Sequence, residues 1–223
     1  MKVVFGLFLF FLALYASMAA PGLDWGDAGE AQLAAWTGGL SHPTGYPLFL
    51  MLGWLWTHAL APLGVPPTRA MTLLSSLAGA AAVAFTFPAM RALLRRTGIE
   101  WGEGWLLIVA VLTAITFGLS QTMWSQALQA EVYTLNALFL VLLLWGLWRP
   151  GLSLRRLPWL ALLYGLAIGH HRLMLLWLPG LVGFWILDSD VDEKPKIENR
   201  VPARAGESKI NVVLLSLLLL VLP

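Results

Sequence analysis

Long uncharged runs dominate the pattern of the chain, and short polar segments separate them. The runs cover residues 3–20, 70–90, 104–130, 132–148 and 157–187, the last interrupted by His170-His171-Arg172, and another begins at residue 210. A stretch of about 18 or more apolar residues is long enough to cross a bilayer as a helix. The pattern therefore predicts an all-α polytopic membrane protein with about seven membrane segments and one or two surface helices in its first loop.

Composition supports this class and excludes others. The chain has 223 residues, of which 59% are hydrophobic and only 12% charged. That balance is too apolar for a water-soluble domain. The net charge of +2 gives no electrostatic reason to bind nucleic acid, and without cysteine there is neither a disulfide nor a thiolate metal site.

The first 20 residues fit two kinds of segment. Lys2, an apolar core and the small residues before Pro21 are typical of a signal peptide. The same run is also long enough to span, and further spans follow, which favours an uncleaved signal-anchor. Under either interpretation, Pro21 onward lies outside the cytoplasm.

The segment 46–61 decides the predicted topology. If it crossed the membrane, Arg91, Arg95 and Arg96 would lie outside, against the preference of basic residues for the cytoplasmic side. We therefore expect an interfacial helix there, and expect Ser120–Glu131 to be a second external loop.

The predicted layout is a first transmembrane helix (1–20), an external loop with an acidic motif and the interfacial helix (21–68), a transmembrane bundle (69–187), a cytoplasmic linker (188–209) and the truncated start of a further transmembrane helix (210–223).

Acidic residues gather in the predicted external loops. Asp24, Asp27 and Glu30 follow the first span, and Glu131 begins the helix 132–148. Asp27 and Glu30 fit a helix capping box, and Glu131 fits the favourable start of a helix. Carboxylates kept near hydrocarbon are expensive, however, and two or three together can act as a general base or a cation site.

Histidines and one arginine complete the set of candidates. His42 and Tyr46 lie on a turn stiffened by prolines and Gly45. Arg172 either reaches toward a lipid headgroup or clamps a phosphate, for which its planar fork is suited. His170 and His171 are poor partners for one metal, since adjacent residues of a helix point about 100° apart.

Four of these patches, in this order, resemble one family, the protein O-mannosyltransferase-related membrane domain of the GT-C glycosyltransferase superfamily. The matching motifs are Asp27-x-Gly29-Glu30, His42-Pro43-x-Gly45-Tyr46-Pro47-Leu48, Glu131-Val132-Tyr133-x-Leu135 and Gly165-Leu166-x-x-Gly169-His170-His171. The resemblance covers residues 24–179. Thr44 departs from it, standing where the family more often has a second proline.

The resemblance implies a GT-C helix bundle that moves a sugar, mannose or another hexose, from a polyprenyl phosphate to an acceptor hydroxyl. It implies Asp27 as catalytic base, with Glu30 beside it and Glu131 as the acid of the second loop. The candidate substrate-binding residues are His42, Tyr46, His170, His171 and Arg172. A divalent metal stays open, because some GT-C relatives need one and others do not.

The implied setting is a bacterial inner membrane or the endoplasmic reticulum membrane, with the site on the non-cytoplasmic side. The implied partners are the bilayer, the lipid-linked donor and an acceptor, either a glycan or a protein serine or threonine. Relatives are far longer, so the chain looks like an N-terminal fragment.

Two alternatives to a transferase remain open. One is a non-catalytic transporter or assembly subunit, in which the acids relay protons or bind a cation; the other is an inactive truncated fragment. A transporter would show internal repeats and acids at mid-membrane, whereas a transferase would hold its acids at the membrane surface. No internal repeat is apparent in the sequence.

Overall fold

A computed structural model describes residues 1–43, 45–149 and 156–184. The predicted linker 188–209 and the segment 210–223 lie outside these described residues. The described part is helical and contains no strand, which confirms the predicted all-α class. Its helices are α1 (Lys2–Met18), α2 (Gly26–Thr37), α3 (Pro47–Leu60), α4 (Pro67–Arg96), α5 (Glu103–Leu119), α6 (Gln121–Ala127), α7 (Tyr133–Trp148) and α8 (Leu157–His170), with 3-10 turns at Ala61–Leu63 and Arg172–Trp177.

Helix α4 is the centre of the bundle. It packs against α1, α5 and α7 along its length and against α2, α3 and α6 over shorter stretches. Small residues such as Ala78, Gly79 and Ala80 are buried on it, so neighbouring helices approach its backbone closely. With 30 residues, it is about 45 Å long at 1.5 Å per residue.

In the described part of the chain, helix α4 is long and apolar enough to cross a membrane, and so is one bent pair of helices taken together. Helices α5 and α6 together pass the same criterion of length and apolarity, but they meet at an angle of 60°. The other apolar helices are shorter than 18 residues. That these shorter helices also cross a membrane, as a polytopic protein requires, therefore stays a prediction.

The predicted loop Ser120–Glu131 contains helix α6. Ser120 has an extended backbone, which ends α5, and its hydroxyl accepts a hydrogen bond from the Met123 amide at 3.3 Å, which starts α6. A serine in this position is a strong N-cap. Helix α6 thus lies inside the segment predicted as a second external loop, and the placement of that segment outside the membrane stays a prediction.

The two ends of α4 carry different chemistry. Near its start, Thr72 and Ser75 contact the first loop and Glu131. Near its end, Arg91 and Arg95 pair with Glu103 at 2.6 and 2.8 Å. The acidic segments and the arginines thus lie at opposite ends of the bundle.

Helix α3 packs within the bundle at the acidic end. It buries Phe49, Leu50, Gly53 and Thr57 and contacts α2, α4 and α8. A Cβ at Gly53 would overlap the end of the Met71 side chain, so Met71 would have to shift to admit one. Its predicted interfacial orientation concerns a membrane and stays a prediction.

Candidate functional site

Helix α2 begins within the acidic motif but not as a capping box. Its N-cap is Trp25, with extended backbone and no side-chain capping bond. Asp27 lies in the first turn, where the helix dipole favours a negative charge. The Glu30 carboxylate binds His42 instead of returning to the N-cap. The capping-box interpretation was therefore wrong, and both acids have side chains available for other contacts.

Glu30 holds His42 by two bonds. One carboxylate oxygen accepts the His42 backbone amide at 2.7 Å, and the other lies 2.6 Å from Nδ1 of the ring. This bond lowers the pKa of Glu30 and raises the pKa of His42, because each charged form stabilises the other. The pair fixes the orientation of the imidazole and directs its second nitrogen toward Asp27.

Asp27 is the most accessible acid of this group. Its Oδ2 lies 3.9 Å from Nε2 of His42, and its side chain is 74% exposed. Glu30 uses both carboxylate oxygens on His42, whereas Asp27 presents its carboxylate to solvent. Of the two, only Asp27 is therefore placed to meet an incoming group.

The loop between α2 and α3 brings aromatic rings to this pair. Tyr46 has a φ of 40°, a left-handed conformation that is rare for a bulky residue, and it follows Gly45 with a φ of 86°. Its ring lies 5.7 Å from that of His42 and 5.5 Å from that of His171. The strained backbone places Tyr46 between two histidines from distant parts of the chain, and such strain clusters at functional sites.

Glu131, just before the start of α7, lies near Asp27, His42 and Tyr46. Its backbone amide and carbonyl both bond to the hydroxyl of Ser75, at 3.0 and 2.9 Å. Burial raises the pKa of Glu131, and the negative charges of Asp27 and Asp24 raise it further. Glu131 is thus held by α4 in a partly buried position near the first-loop acids.

A small cleft joins these residues. Asp27, Ser41, His42, Tyr46, Glu131, Val132 and Tyr133 line it. Its volume of about 20 Å³ is enough for roughly one water molecule. The structure therefore brings together Asp27, His42, Tyr46 and Glu131, with Glu30 directly behind His42, in a closed arrangement.

His170, His171 and Arg172 have three different surroundings. His170 is only 1% exposed, and its Nε2 lies 2.8 Å from the Val132 carbonyl, which ties α8 to the start of α7. His171 is buried against the rings of Tyr46 and Tyr133, while its Nδ1 accepts the Leu173 amide. Arg172 is exposed and does not line the cleft.

Gln32 organises the acidic loop and was missed from the sequence. It is 1% exposed; its amide oxygen accepts the Asp24 backbone N–H at 2.9 Å, and its amide nitrogen donates to carbonyls of Gly22 and Thr68. Burial raises the pKa of Asp24 beside it. The only sequence signal was an amide among the alanines of α2.

Gly29 has a steric role in the same loop. A Cβ at this position would overlap the backbone carbonyl of Asp24. Because backbone cannot move aside as a flexible side chain can, the motif Asp27-x-Gly29-Glu30 needs glycine to let the loop fold over α2.

The acid and histidine groups also fit a divalent cation. Asp27, Glu30 and His42 each offer a ligand atom, and these atoms lie within 4.8 Å of one another. Two carboxylates and an imidazole are a donor set that ions such as Zn²⁺ and Mn²⁺ accept. In the described conformation, however, Glu30 and His42 are already satisfied by each other.

Fold and site together define a helical bundle with an acid–histidine site at one end. The family described as "Protein O-mannosyl-transferase TMEM260 N-terminal domain" matches residues 27–193. This is well over half of the chain, so the chain belongs to that family, and the resemblance inferred from the sequence motifs is confirmed. No solved structure matches the chain.

Two curated relatives carry the same name. The "Protein O-mannosyl-transferase tmem260" of Dictyostelium discoideum is 27% identical over 199 residues, which is 81% of this chain and 23% of that protein. The "Protein O-mannosyl-transferase TMEM260" of Mus musculus is 36% identical over 140 residues, which is 60% of this chain and 18% of that protein. The chain thus aligns with roughly a fifth of the length of these relatives.

Proposed function

We propose that the chain is the site-bearing part of a membrane mannosyltransferase of the GT-C class. The reaction transfers the sugar from a polyprenyl phosphate to the hydroxyl of an acceptor, such as a protein serine or threonine, on the non-cytoplasmic face. The observation that carries the proposal is the meeting of Asp27, His42 and Glu131 at one cleft. The names of the relatives supply the reaction class.

Asp27 is the proposed catalytic base. Its exposed carboxylate accepts the proton of the acceptor hydroxyl as that oxygen attacks the anomeric carbon. The bond from this carbon to the phosphate oxygen breaks, and its electron pair leaves with the polyprenyl phosphate. A single displacement of this kind inverts the anomeric centre.

Glu30 and His42 position this base rather than react. The imidazole held by Glu30 directs Nε2 toward Asp27 at 3.9 Å. A cationic ring there stabilises the ionised carboxylate that the reaction requires. Glu131, whose pKa burial raises, holds a proton more readily and donates it in a hydrogen bond to the sugar. One site thereby offers both an ionised and a protonatable carboxyl group.

The leaving phosphate needs a positive charge near the cleft. Arg172 is exposed and adjacent in the chain to His171, whose ring packs on Tyr46 and Tyr133. Its planar guanidinium can bind two phosphate oxygens at once. We assign the donor phosphate to Arg172 and His171, while buried His170 secures the backbone that carries them.

A divalent cation, if used, would be held by Asp27, Glu30 and His42. It would neutralise the negative charge of the donor phosphate.

The rival transport function is less well supported. The acids lie beside the first turns of α4, at one end of the bundle, whereas a transporter binds its cargo near the middle.

The transfer assay uses the full 223-residue chain in vesicles, with radiolabelled mannosyl polyprenyl phosphate and an acceptor peptide rich in serine and threonine. General-base catalysis contributes about 10²–10⁴-fold, so Asp27→Asn should lower the rate by at least about 100-fold. Glu103→Gln is the matched control at the opposite end and should leave the rate unchanged. Full activity of Asp27→Asn would refute Asp27 as the base, and no transfer by the unchanged chain would show that this region is insufficient alone.

A further inference from the structure

A second, larger groove lies at the opposite end of the bundle from the acid–histidine site. It has a volume of about 730 Å³ and is bounded by α1, α4 and α7. Its walls are mainly apolar and include Phe5, Phe8, Phe85 and Phe87. This volume falls within the range of sites that bind small organic ligands, roughly 300–1,000 Å³.

Arginines form the rim of this groove. Arg91, Arg95, Arg149 and Arg156 all line it. Arg91 and Arg95 share one acid, Glu103, so among the described residues these two arginines and Arg149 carry more positive than negative charge. The groove therefore combines an apolar interior with a clear excess of positive charge at its mouth.

Two of these arginines, Arg91 and Arg149, are placed to face an anion at the rim. Within the part of the chain that the structure describes, the buried Nε of Arg91 has no hydrogen-bond partner, although its Nη2 is paired with Glu103. Arg149 rests on the Trp145 ring, with its guanidinium carbon 5.1 Å from the ring centroid. A buried N–H without a partner is costly, and a phosphate oxygen is a strong acceptor for it.

We propose that this groove binds one anionic phospholipid. The acyl chains lie along the phenylalanine walls, and the phosphate is held by Arg91 and Arg149 at the rim. An apolar wall continuous with an arginine rim fits an amphiphile better than a free anion, because only an amphiphile uses both parts. The proposal is independent of the transferase function, which concerns the other end of α4.

The test measures lipid binding by native mass spectrometry on the full purified chain in a neutral detergent. Phosphatidylglycerol and phosphatidylcholine with identical acyl chains are titrated separately. Both lipids carry the phosphate, but phosphatidylcholine also places a cationic choline beside the arginine rim, so phosphatidylglycerol should bind about 10-fold more tightly. Inorganic phosphate in large excess should not displace it.

The double variant Arg91→Gln/Arg149→Gln should lose this headgroup preference. Arg69→Gln is the matched control, since Arg69 is a cation on the same helix at its other end, and it should retain the preference. Far-UV circular dichroism reports whether each variant is folded. Should the double variant unfold, Arg91→Lys/Arg149→Lys replaces it; this variant keeps the charge and should show a weakened but measurable preference.

Three results would overturn the proposal. Equal binding of the two lipids by the unchanged chain would show that the rim does not select a headgroup. An undiminished preference in the folded double variant would place the lipid elsewhere. Displacement of phosphatidylglycerol by inorganic phosphate would show a site for free anions rather than for a lipid.

Discussion

Glu30 and Glu131 approach the same cleft, but their surroundings shift their pKa values in opposite directions. Glu30 accepts two bonds from His42, which lowers its pKa. Glu131 is partly buried near other acids, which raises its pKa. Two carboxyl groups of identical chemistry thus have pKa values shifted in opposite directions, an arrangement often found where acid and base roles are divided.

The Glu30–His42 bond predicts a specific titration. His42 should titrate above its ordinary pKa of 6.5, because the Glu30 carboxylate stabilises the imidazolium. Glu30→Gln removes that charge and should return the His42 titration toward the ordinary value. NMR of ¹³C-labelled histidine measures this, and Glu103→Gln serves as the control. An unchanged titration in Glu30→Gln would mean that this bond does not form in solution.

The same bond makes stability depend on pH. The pKa of His42 is raised above 6.5, so its contribution is complete below that pH and is lost as pH rises through the raised value. The pKa of Glu30 is lowered below 4.5, so its contribution is complete above that pH and is lost as pH falls through the lowered value. The bond should stabilise the fold most between pH 4.5 and 6.5. Thermal unfolding across this range in the unchanged chain and in Glu30→Gln measures the difference.

Charged residues of the site were predictable, and neutral ones were not. In so apolar a chain, Asp27, Glu30 and Glu131 stand out because each is expensive unless it is used. Gln32 and Ser75 carry equally important bonds, but neutral side chains are common in buried helices and give no such signal. The sequence also could not show that His170 is buried and Arg172 exposed, because that depends on how α8 ends against α7.

At the scale of elements, the acidic loop depends on α2 and α4 through one side chain. Gln32 bonds to the loop before α2 and to Thr68 and Thr72 on α4. It therefore sets the position of the Asp24–Asp27 segment relative to the helix that also holds Glu131. No charge interrupts the run 104–130 in the sequence, but in the structure the cap at Ser120 divides it into helices α5 and α6.

Replacing Gln32 should separate these elements. Gln32→Leu leaves buried backbone donors and acceptors without partners, and each such loss costs about 1–3 kcal/mol. Thermal unfolding in detergent should therefore show clear destabilisation. Gln126→Leu is the matched control, since the buried side-chain oxygen of Gln126 has no partner among the described residues, and this substitution should be neutral or stabilising. Equal effects of the two substitutions would contradict the organising role of Gln32.

At the scale of the whole molecule, the two ends of α4 differ in chemistry, with the acid–histidine site near its start and the groove arginines Arg91 and Arg95 near its end. The sequence predicted this division from the spacing of charges between apolar runs. It did not predict the large groove beside the arginines, because a groove depends on how distant helices pack and leaves no local pattern in the sequence.

The two ends should face opposite sides of a membrane. The chain has no cysteine, so single cysteines at exposed Leu40 and Glu100 can be labelled without background. In intact, oriented vesicles, an impermeant reagent should reach only one of them from outside, and the other only after permeabilisation. Labelling of both from the same side would exclude the proposed topology.

The one-water cleft has a consequence for any measured affinity. A sugar is far larger than the space between Asp27 and Glu131, so a sugar that enters the cleft between these two residues needs a wider conformation, whereas contact with the 74% exposed Asp27 alone does not. The apparent dissociation constant then equals the intrinsic constant divided by the open fraction, so an open population of about one in a hundred weakens apparent affinity about 100-fold. Tyr46 lines this cleft in a left-handed conformation, and such a backbone costs about 1–3 kcal/mol. Ligand titrations would therefore report the closed-to-open equilibrium as much as the contacts made to the sugar.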